Sequence, residues 1–118
     1  MRDHNKLRAF ELADKITLLT YRITKDFPKE EIYGLSSQMR RAAVSIPSNI
    51  VEGCARESQV EYLRFLEIAF GSLGELQYQF GLSRRLGYLK ESDISECNPK
   101  LIETEKVLAA LLRSLRKT

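Results

Sequence analysis

The sequence predicts an all-α protein that folds as an antiparallel up-down four-helix bundle. Four segments repeat apolar residues at steps of three and four, the links between them are short, and no run alternates apolar and polar residues as a strand does. The 118 residues, 43% hydrophobic and 30% charged, are typical of a single domain over 1–118 with one core.

The first helix is predicted over 5–26. Pro28 follows its apolar stripe and disfavours helix in the residue before it. A loop with the turn-forming Gly34 comes next. The residues of the stripe are Ala9, Leu12, Ala13, Ile16, Leu19, Ile23 and Phe27.

The second helix is predicted over 35–54, with Pro47 inside it. Apolar residues keep their spacing on both sides of Pro47, so we expect a helix that is kinked there and held by its packing, since an internal proline costs about 3 kcal/mol. Gly53 is expected to end the helix near its C-cap. The stripe consists of Leu35, Met39, Ala42, Ala43, Ile46, Ile50 and Cys54.

The third helix is predicted over 58–86. Ser58 and Glu61 have the spacing of a capping box, and Gly87 suits a left-handed C-cap. Gly71 and Gly74 lie inside the helix at a cost of about 1 kcal/mol each relative to alanine, which predicts that another backbone approaches closely there.

The fourth helix is predicted over 92–116, and one point in it stays open. Asn98 and Pro99 either begin the helix, as cap and first residue, or kink a helix that starts at Ser92. Lysine and arginine collect in its last turn, where they favour the helix dipole.

A second apolar strip lies outside the main stripes of the first two helices. Helix two carries Val44, Pro47 and Val51 on this face, bordered by Arg40, and helix one carries apolar residues that include Phe10 and Tyr21. Contiguous apolar strips are more typical of contact surfaces than of solvent-exposed faces. We therefore predict a homo-oligomer whose interface includes Phe10, Tyr21, Val44, Pro47 and Val51.

The sequence lacks the side chains of the common catalytic and metal sites. Its one histidine, His4, lies in a segment expected to fray, and Cys54 and Cys97 have neither zinc-site nor disulfide-scaffold spacing, so buried reduced thiols are expected. No phosphate-binding loop motif is present. We expect no enzyme activity, no metal and no cofactor. The charged start, MRDHNKLRAF, and the absence of a long apolar run predict a cytoplasmic protein without a membrane partner.

The basic residues are the remaining candidates for function. The net charge is +3, and the candidate nucleic-acid-binding residues are Arg40, Arg41, Arg56, Arg84 and Arg85. Ion pairs with Glu52 and with glutamates of helix three are an equally open interpretation of Arg41 and Arg56. No aromatic platform is expected among these arginines, which argues against sequence-specific single-strand recognition.

Three sequence runs carry a family resemblance over residues 7–115. FPKEEIYGLSSQMRRAAVSIPSNIVEG, ESQVEYLRFLEIAFGSLGEL and RRLGYL resemble the bacterial four helix bundle proteins encoded in intervening sequences of 23S rRNA genes, also called 23S rRNA-associated or S23 ribosomal proteins. The resemblance implies a four-helix subunit, assembly as a cytoplasmic homopentamer, and association with RNA or another nucleic acid.

Two functional hypotheses follow. The first is a non-enzymatic homo-oligomeric scaffold that binds nucleic acid, rRNA included, through its arginines. The alternative is a protein-interaction adaptor in which the arginines form structural ion pairs and no nucleic acid is bound. An enzyme with a site between subunits is a third and weaker possibility, since the sequence shows no cluster of titratable groups for it.

Overall fold

The computed structural model describes residues 2–117, which form four α-helices. They are α1 (Arg8–Thr24), α2 (Leu35–Cys54), α3 (Gln59–Arg85) and α4 (Glu91–Arg116). Two three-residue 3-10 helices, His4–Lys6 and Lys29–Glu31, precede α1 and α2. These residues include no strand, so the all-α prediction is confirmed, and the bounds of α2 are those predicted.

Each helix contacts two neighbours, in the cyclic order α1, α2, α3, α4. Arg8 pairs with Glu103 and Arg22 with Glu96, so the start of α1 lies beside the later part of α4 and the end of α1 beside its first turns. The same reversed order holds for the other three neighbouring pairs, as expected of an up-down bundle. Their contacts include Thr17–Ala43, Thr24–Arg40, Ser45–Ser72, Met39–Ser83, Gln77–Glu105 and Glu67–Arg116.

The core lies between the four predicted stripes. Its large, completely buried apolar side chains come from α2, α3 and α4, and α1 adds two alanines and three nearly buried aliphatic residues, Leu12, Ile16 and Ile23. Burying a large aliphatic side chain stabilises the fold by roughly 1.5–3 kcal/mol, so these stripes supply most of the driving force. The largest fully buried apolar residues are Met39, Ile46, Ile50, Leu66, Leu73, Leu76 and Leu108.

Helix α2 continues through Pro47, and a neighbouring helix offers a donor in place of the lost hydrogen bond. Proline has no backbone N–H, so the carbonyl oxygen of Ala43, four residues earlier, lacks its usual donor. The hydroxyl of Thr17 on α1 lies 3.1 Å from that oxygen. Pro47 itself is buried. Its predicted place in a subunit contact is therefore not supported, because Pro47 is covered within the subunit, whereas Val44 and Val51 of the same strip are exposed.

The glycine expectations need a correction. A Cβ atom built on Gly71 or Gly74 would meet nothing within 4 Å, so no backbone approaches either residue and that prediction was wrong. The close approach occurs at Gly53, which lies inside α2, one residue before its last. A Cβ there would lie 3.0 Å from the Cβ of Phe65 and 3.3 Å from the carbonyl oxygen of Tyr62. Only glycine lets α2 and α3 meet this closely.

Helix α3 is capped at both ends by the residues that the sequence predicts. The Ser58 side chain accepts a hydrogen bond from the Glu61 amide at 3.2 Å, which makes Ser58 the N-cap. Gly87 has a φ of 78°. The Gly87 amide bonds the Arg84 carbonyl and the Tyr88 amide bonds the Ser83 carbonyl, each at 3.0 Å, which is a Schellman cap.

The two remaining local expectations concern the ends of the chain. Helix α4 begins at Glu91, so Pro99 lies inside it, and the alternative in which Pro99 starts the helix is excluded. The N-terminal segment was expected to fray, but Arg2 donates from its backbone to the Cys54 carbonyl at 3.2 Å and lies over the Tyr62 ring at 4.0 Å. Residues from Arg2 onward are thus fixed to the bundle.

Candidate nucleic-acid interface

A groove of about 890 Å³ lies between the end of α1, the loop after it and the first turns of α2. Four of its lining side chains are cations: Lys25, Lys29, Arg40 and Arg41. No carboxylate is among the lining residues. The sequence reverses direction through the loop around Pro28, so the last residues of α1 and the first turns of α2 meet at the same end of the bundle. We call this end, which also holds the end of α3 and the start of α4, the groove end.

Arg40 is held in the wall of the groove by α1. Its Nε donates to the Thr24 hydroxyl at 2.9 Å, and its guanidinium carbon lies 4.8 Å from the centre of the Tyr21 ring. The contact places a cation over the negative face of an aromatic ring. Arg40 is therefore a positioned group, in which Nε and one terminal nitrogen donate to α1 and the other terminal nitrogen is left for a ligand.

Arg41 differs from Arg40 because it is exposed and has no partner. Within residues 2–117 its side chain makes no hydrogen bond, ion pair or ring contact, which leaves all five guanidinium N–H donors for a ligand. The ion pair with Glu52, which was an alternative interpretation of Arg41, is formed by Arg56 instead. Among the five candidate arginines, Arg41 and Arg84 have exposed side chains without a partner within residues 2–117, and of these two only Arg41 lines the groove.

The carboxylates next to the groove in sequence are mostly engaged elsewhere. Glu31 accepts from the Leu35 amide at 3.0 Å and from the Tyr88 hydroxyl at 2.9 Å, and this bond raises the pKa of Tyr88. Asp26 lies 3.8 Å from the Lys90 ammonium. Glu30 is exposed and outside the lining. The groove therefore keeps a positive balance.

The other candidate arginines do not line this groove. Arg84 and Arg85 are exposed at the groove end, on the last turn of α3. Arg56 lies at the opposite end, where it pairs with Glu52 and covers the Phe65 ring at 5.1 Å. For Arg56 the structural interpretation is thus the better supported one.

The expectation that these arginines lack aromatic neighbours was wrong. Arg40 lies over Tyr21, and the Arg85 guanidinium carbon lies 5.9 Å from the centre of the Tyr78 ring. Tyr21 and Arg40 are 19 positions apart and meet only because α1 and α2 run in opposite directions. Spacing within a single helix could not reveal the contact between Tyr21 and Arg40.

The predicted interface residues separate into two places. Tyr21 and Val44 line the groove. The antiparallel register set by the Thr24–Arg40 and Thr17–Ala43 contacts places Phe10 about level with Val51, toward the other end of the α1–α2 face. Val51 is exposed and Phe10 is half-buried against the His4 ring at 4.7 Å.

Sequence reasoning missed Lys25, Lys29 and Ile32 as members of the site. Their signal was present, since two lysines flank the Phe27-Pro28 turn and the chain returns there to Arg40 and Arg41 in the next helix. The loop between two antiparallel helices lies at the same end of the bundle as the last turn of the first helix and the first turns of the second.

The described residues show no sign of redox or metal chemistry at the groove. No three histidine, cysteine, aspartate or glutamate side chains between residues 2 and 117 lie close enough together to hold a metal ion. Cys54 and Cys97 are buried, and burial raises the pKa of both thiols, that of Cys97 to about 11.

Among residues 2–117, no helix has the length and apolar character required to cross a bilayer.

The family described as "23S rRNA-intervening sequence protein" matches residues 5–110. This chain belongs to that family. The matched range contains α1, α2, α3 and most of α4, together with the four groove cations. The resemblance inferred from the sequence motifs is thereby confirmed.

A solved structure shares the fold of this family member. It is a protein of unknown function from the S23 ribosomal protein family of Bacteroides thetaiotaomicron, with a TM-score of 0.80 and 22% sequence identity, covering 89% of this chain and 95% of its own. At this identity the similarity establishes the four-helix fold alone. No curated protein matches the chain.

Proposed function

We propose that this protein is a non-enzymatic homo-oligomeric scaffold that binds nucleic acid through phosphate contacts at the α1–α2 groove. The observation that supports it is the convergence of Lys25, Lys29, Arg40 and Arg41 on one concave surface without a lining carboxylate. The family description, which refers to 23S rRNA, agrees with a role near RNA. The proposal assigns no reaction, because the groove offers charge and hydroxyls but no paired acid and base.

The strength of such a site would depend on salt. Each phosphate that a lysine or arginine neutralises releases counterions, so log K falls against log salt with a slope of about −0.7 to −0.9 per contact. Four groove cations predict a slope of about −3 for one subunit. A ring of subunits multiplies the +3 charge of each chain and presents several grooves to one polyanion.

Exposed apolar residues support self-association. Val51 is exposed on α2, and Phe10, at the same level on α1, is only half-buried. Five copies is the number that the family resemblance implies. Tyr21 and Val44 line the groove, so this proposal places the subunit contact toward Phe10 and Val51 and leaves the groove at its edge.

The binding test uses a labelled structured RNA and the full chain across a salt series. Wild type should bind with affinity that falls steeply with salt, and Arg41→Ala should weaken binding and make the slope less negative by about 0.7–0.9. Arg113→Ala is the matched control, because Arg113 on α4 is also exposed, has no partner within residues 2–117 and lies outside the groove lining. Arg84→Ala tests whether the site extends along the groove end. Absence of binding at low salt would reject nucleic-acid binding and favour the protein adaptor.

The assembly test is a solution mass by light scattering. The expected mass is five times the subunit mass of 13.6 kDa, and a monomer would reject the ring. Val51→Asp should lower the mass. Val60→Asp, at an exposed valine in the first turn of α3, should leave the mass unchanged.

A further inference from the structure

The groove contains a stacking surface as well as charges. Tyr21 is 40% exposed, and the Arg40 guanidinium lies over its ring at 4.8 Å. Ile32 and Val44 add apolar surface to the same groove. A site that bound only phosphate would have no use for this combination, since phosphate oxygens are recognised by charge and hydrogen bonds.

We propose that the groove receives an unpaired nucleotide of a single-stranded nucleic acid. Its base stacks on the Tyr21–Arg40 surface, and its flanking phosphates contact Arg41, Lys25 and Lys29. This inference rests on the proposed function and names the ligand of the same site more narrowly.

The size of the groove suits one unpaired nucleotide. Its volume of about 890 Å³ lies within the range of roughly 300–1,000 Å³ that is typical of sites for small molecules. A base in a duplex is stacked on both faces and paired on its edge, so it cannot turn toward Tyr21. Bases in loops, bulges and single strands are free to stack on aromatic rings and arginine planes.

The arrangement also explains why Arg40 is fixed while Arg41 is free. The Thr24 hydroxyl and the Tyr21 ring hold the Arg40 guanidinium in one orientation, which suits a surface on which a flat base must lie. Arg41 has no partner within residues 2–117, which suits contact with a flexible phosphate backbone. Stacking tolerates every base, so we expect binding of single-stranded RNA and DNA without strong sequence preference.

A second tyrosine lies next to a groove residue in the sequence and is a further candidate for contact with the ligand. Tyr33 is 96% exposed and follows Ile32, which lines the groove. Because so little of the Tyr33 ring is buried, it contributes almost nothing to the free energy of folding, and its replacement tests binding without loss of stability.

The test compares binding of the full chain to a labelled single-stranded RNA, the same length of abasic strand, the corresponding DNA, and a duplex, at one salt concentration. Tyr21→Leu should weaken single-strand binding by about 5- to 150-fold and leave abasic-strand binding unchanged. Tyr21→Phe, which keeps the ring, should retain wild-type affinity. Tyr33→Leu should lower affinity less than Tyr21→Leu.

Tyr78→Leu is the matched control for the arginine–tyrosine pair. Tyr78 is 64% exposed on α3 and lies 5.9 Å from Arg85, but it does not line the groove. This variant should bind single strands as the wild type does. Equal losses in Tyr21→Leu and Tyr78→Leu would overturn the assignment of the stacking surface to the groove.

A direct signal of stacking is available because the chain contains no tryptophan. In a Tyr21→Trp variant the single indole reports on its own position, and its fluorescence should be quenched by single-stranded RNA or DNA but not by the abasic strand. Duplex binding equal to single-strand binding, without quenching and still weakened by Arg41→Ala, would overturn this inference and leave the proposed function in place. Failure of wild type to bind any of the four ligands would overturn both.

Discussion

Replacing Thr17 with valine tests whether α1 compensates for the proline in α2. Thr17→Val keeps the shape of the side chain and removes the hydroxyl that lies 3.1 Å from the Ala43 carbonyl. Pro47 has no N–H to bond this carbonyl, so the variant leaves it without a protein donor. An unsatisfied buried acceptor costs about 1–3 kcal/mol, and Thr17 is only half-buried, so we expect a loss near the lower end, about 1–2 kcal/mol.

The Thr17 hydroxyl also lies 2.9 Å from the Ala13 carbonyl, but that contact does not account for the expected loss. The Ala13 carbonyl lies inside α1, where the amide four residues later already bonds it. Thr20→Val is the matched control, since the Thr20 hydroxyl lies 2.8 Å from the carbonyl of Ile16, which also lies inside α1. Removing this second hydroxyl should cost little or nothing.

The assay is urea unfolding followed by far-ultraviolet circular dichroism, at one subunit concentration because assembly would make stability concentration-dependent. Thr17→Val should lower the midpoint by roughly 0.5–1 M urea. Pro47→Ala restores a backbone N–H that bonds the Ala43 carbonyl within α2. In this background the Thr17→Val substitution should therefore cost close to zero. An equal loss in both backgrounds would refute the compensation, because the two sites would then be independent.

The remaining predictions concern glycines, thiols and acid. Gly53→Ala should destabilise the fold by about 1–3 kcal/mol because the added methyl group meets α3. Gly74→Ala adds a methyl group in open space and should stabilise the fold by up to about 1 kcal/mol. Urea midpoints that move in the same direction for both variants would contradict this pair of predictions. With its thiol buried and its pKa raised to about 11, Cys97 should resist iodoacetamide at about pH 8 until urea unfolds the chain, and rapid native labelling seen by mass spectrometry would disprove it. The hydrogen bond from Arg22 holds the pKa of Glu96 below 4.5, so this pair stabilises the fold above that pH and its contribution is lost as pH falls through the native pKa of Glu96. Glu96→Gln should therefore flatten the acid side of a thermal-stability profile, and a profile identical to wild type would exclude the linkage.

The sequence predicted the helices well because their signals are local. Ser58 caps α3 and Gly87 ends it through bonds that span a few residues, and both roles follow from residue type and position. The apolar stripes likewise need only the helical repeat. Gly71 and Gly74 show the limit of such reasoning, because a glycine inside a helix does not reveal whether a neighbour lies near it.

The candidate site was only half predictable. Arg40 and Arg41 could be chosen as basic residues on α2, but their roles separated only when α1 provided Thr24 and Tyr21 for Arg40 and nothing for Arg41. Lys25 was not chosen because its place in the groove depends on the turn that returns the chain to α2.

The sequence alone determined four amphipathic helices, the caps at both ends of α3 and the family to which the chain belongs, because periodicity, caps and motifs are encoded by neighbouring residues. Only the tertiary structure decided that Pro47 is buried, that Arg56 covers the Phe65 ring, and that Tyr21 lies under Arg40 in a positive groove. The physical reason is that burial, pairing and local potential depend on groups from different helices, and the antiparallel packing of α1 against α2 sets their distances.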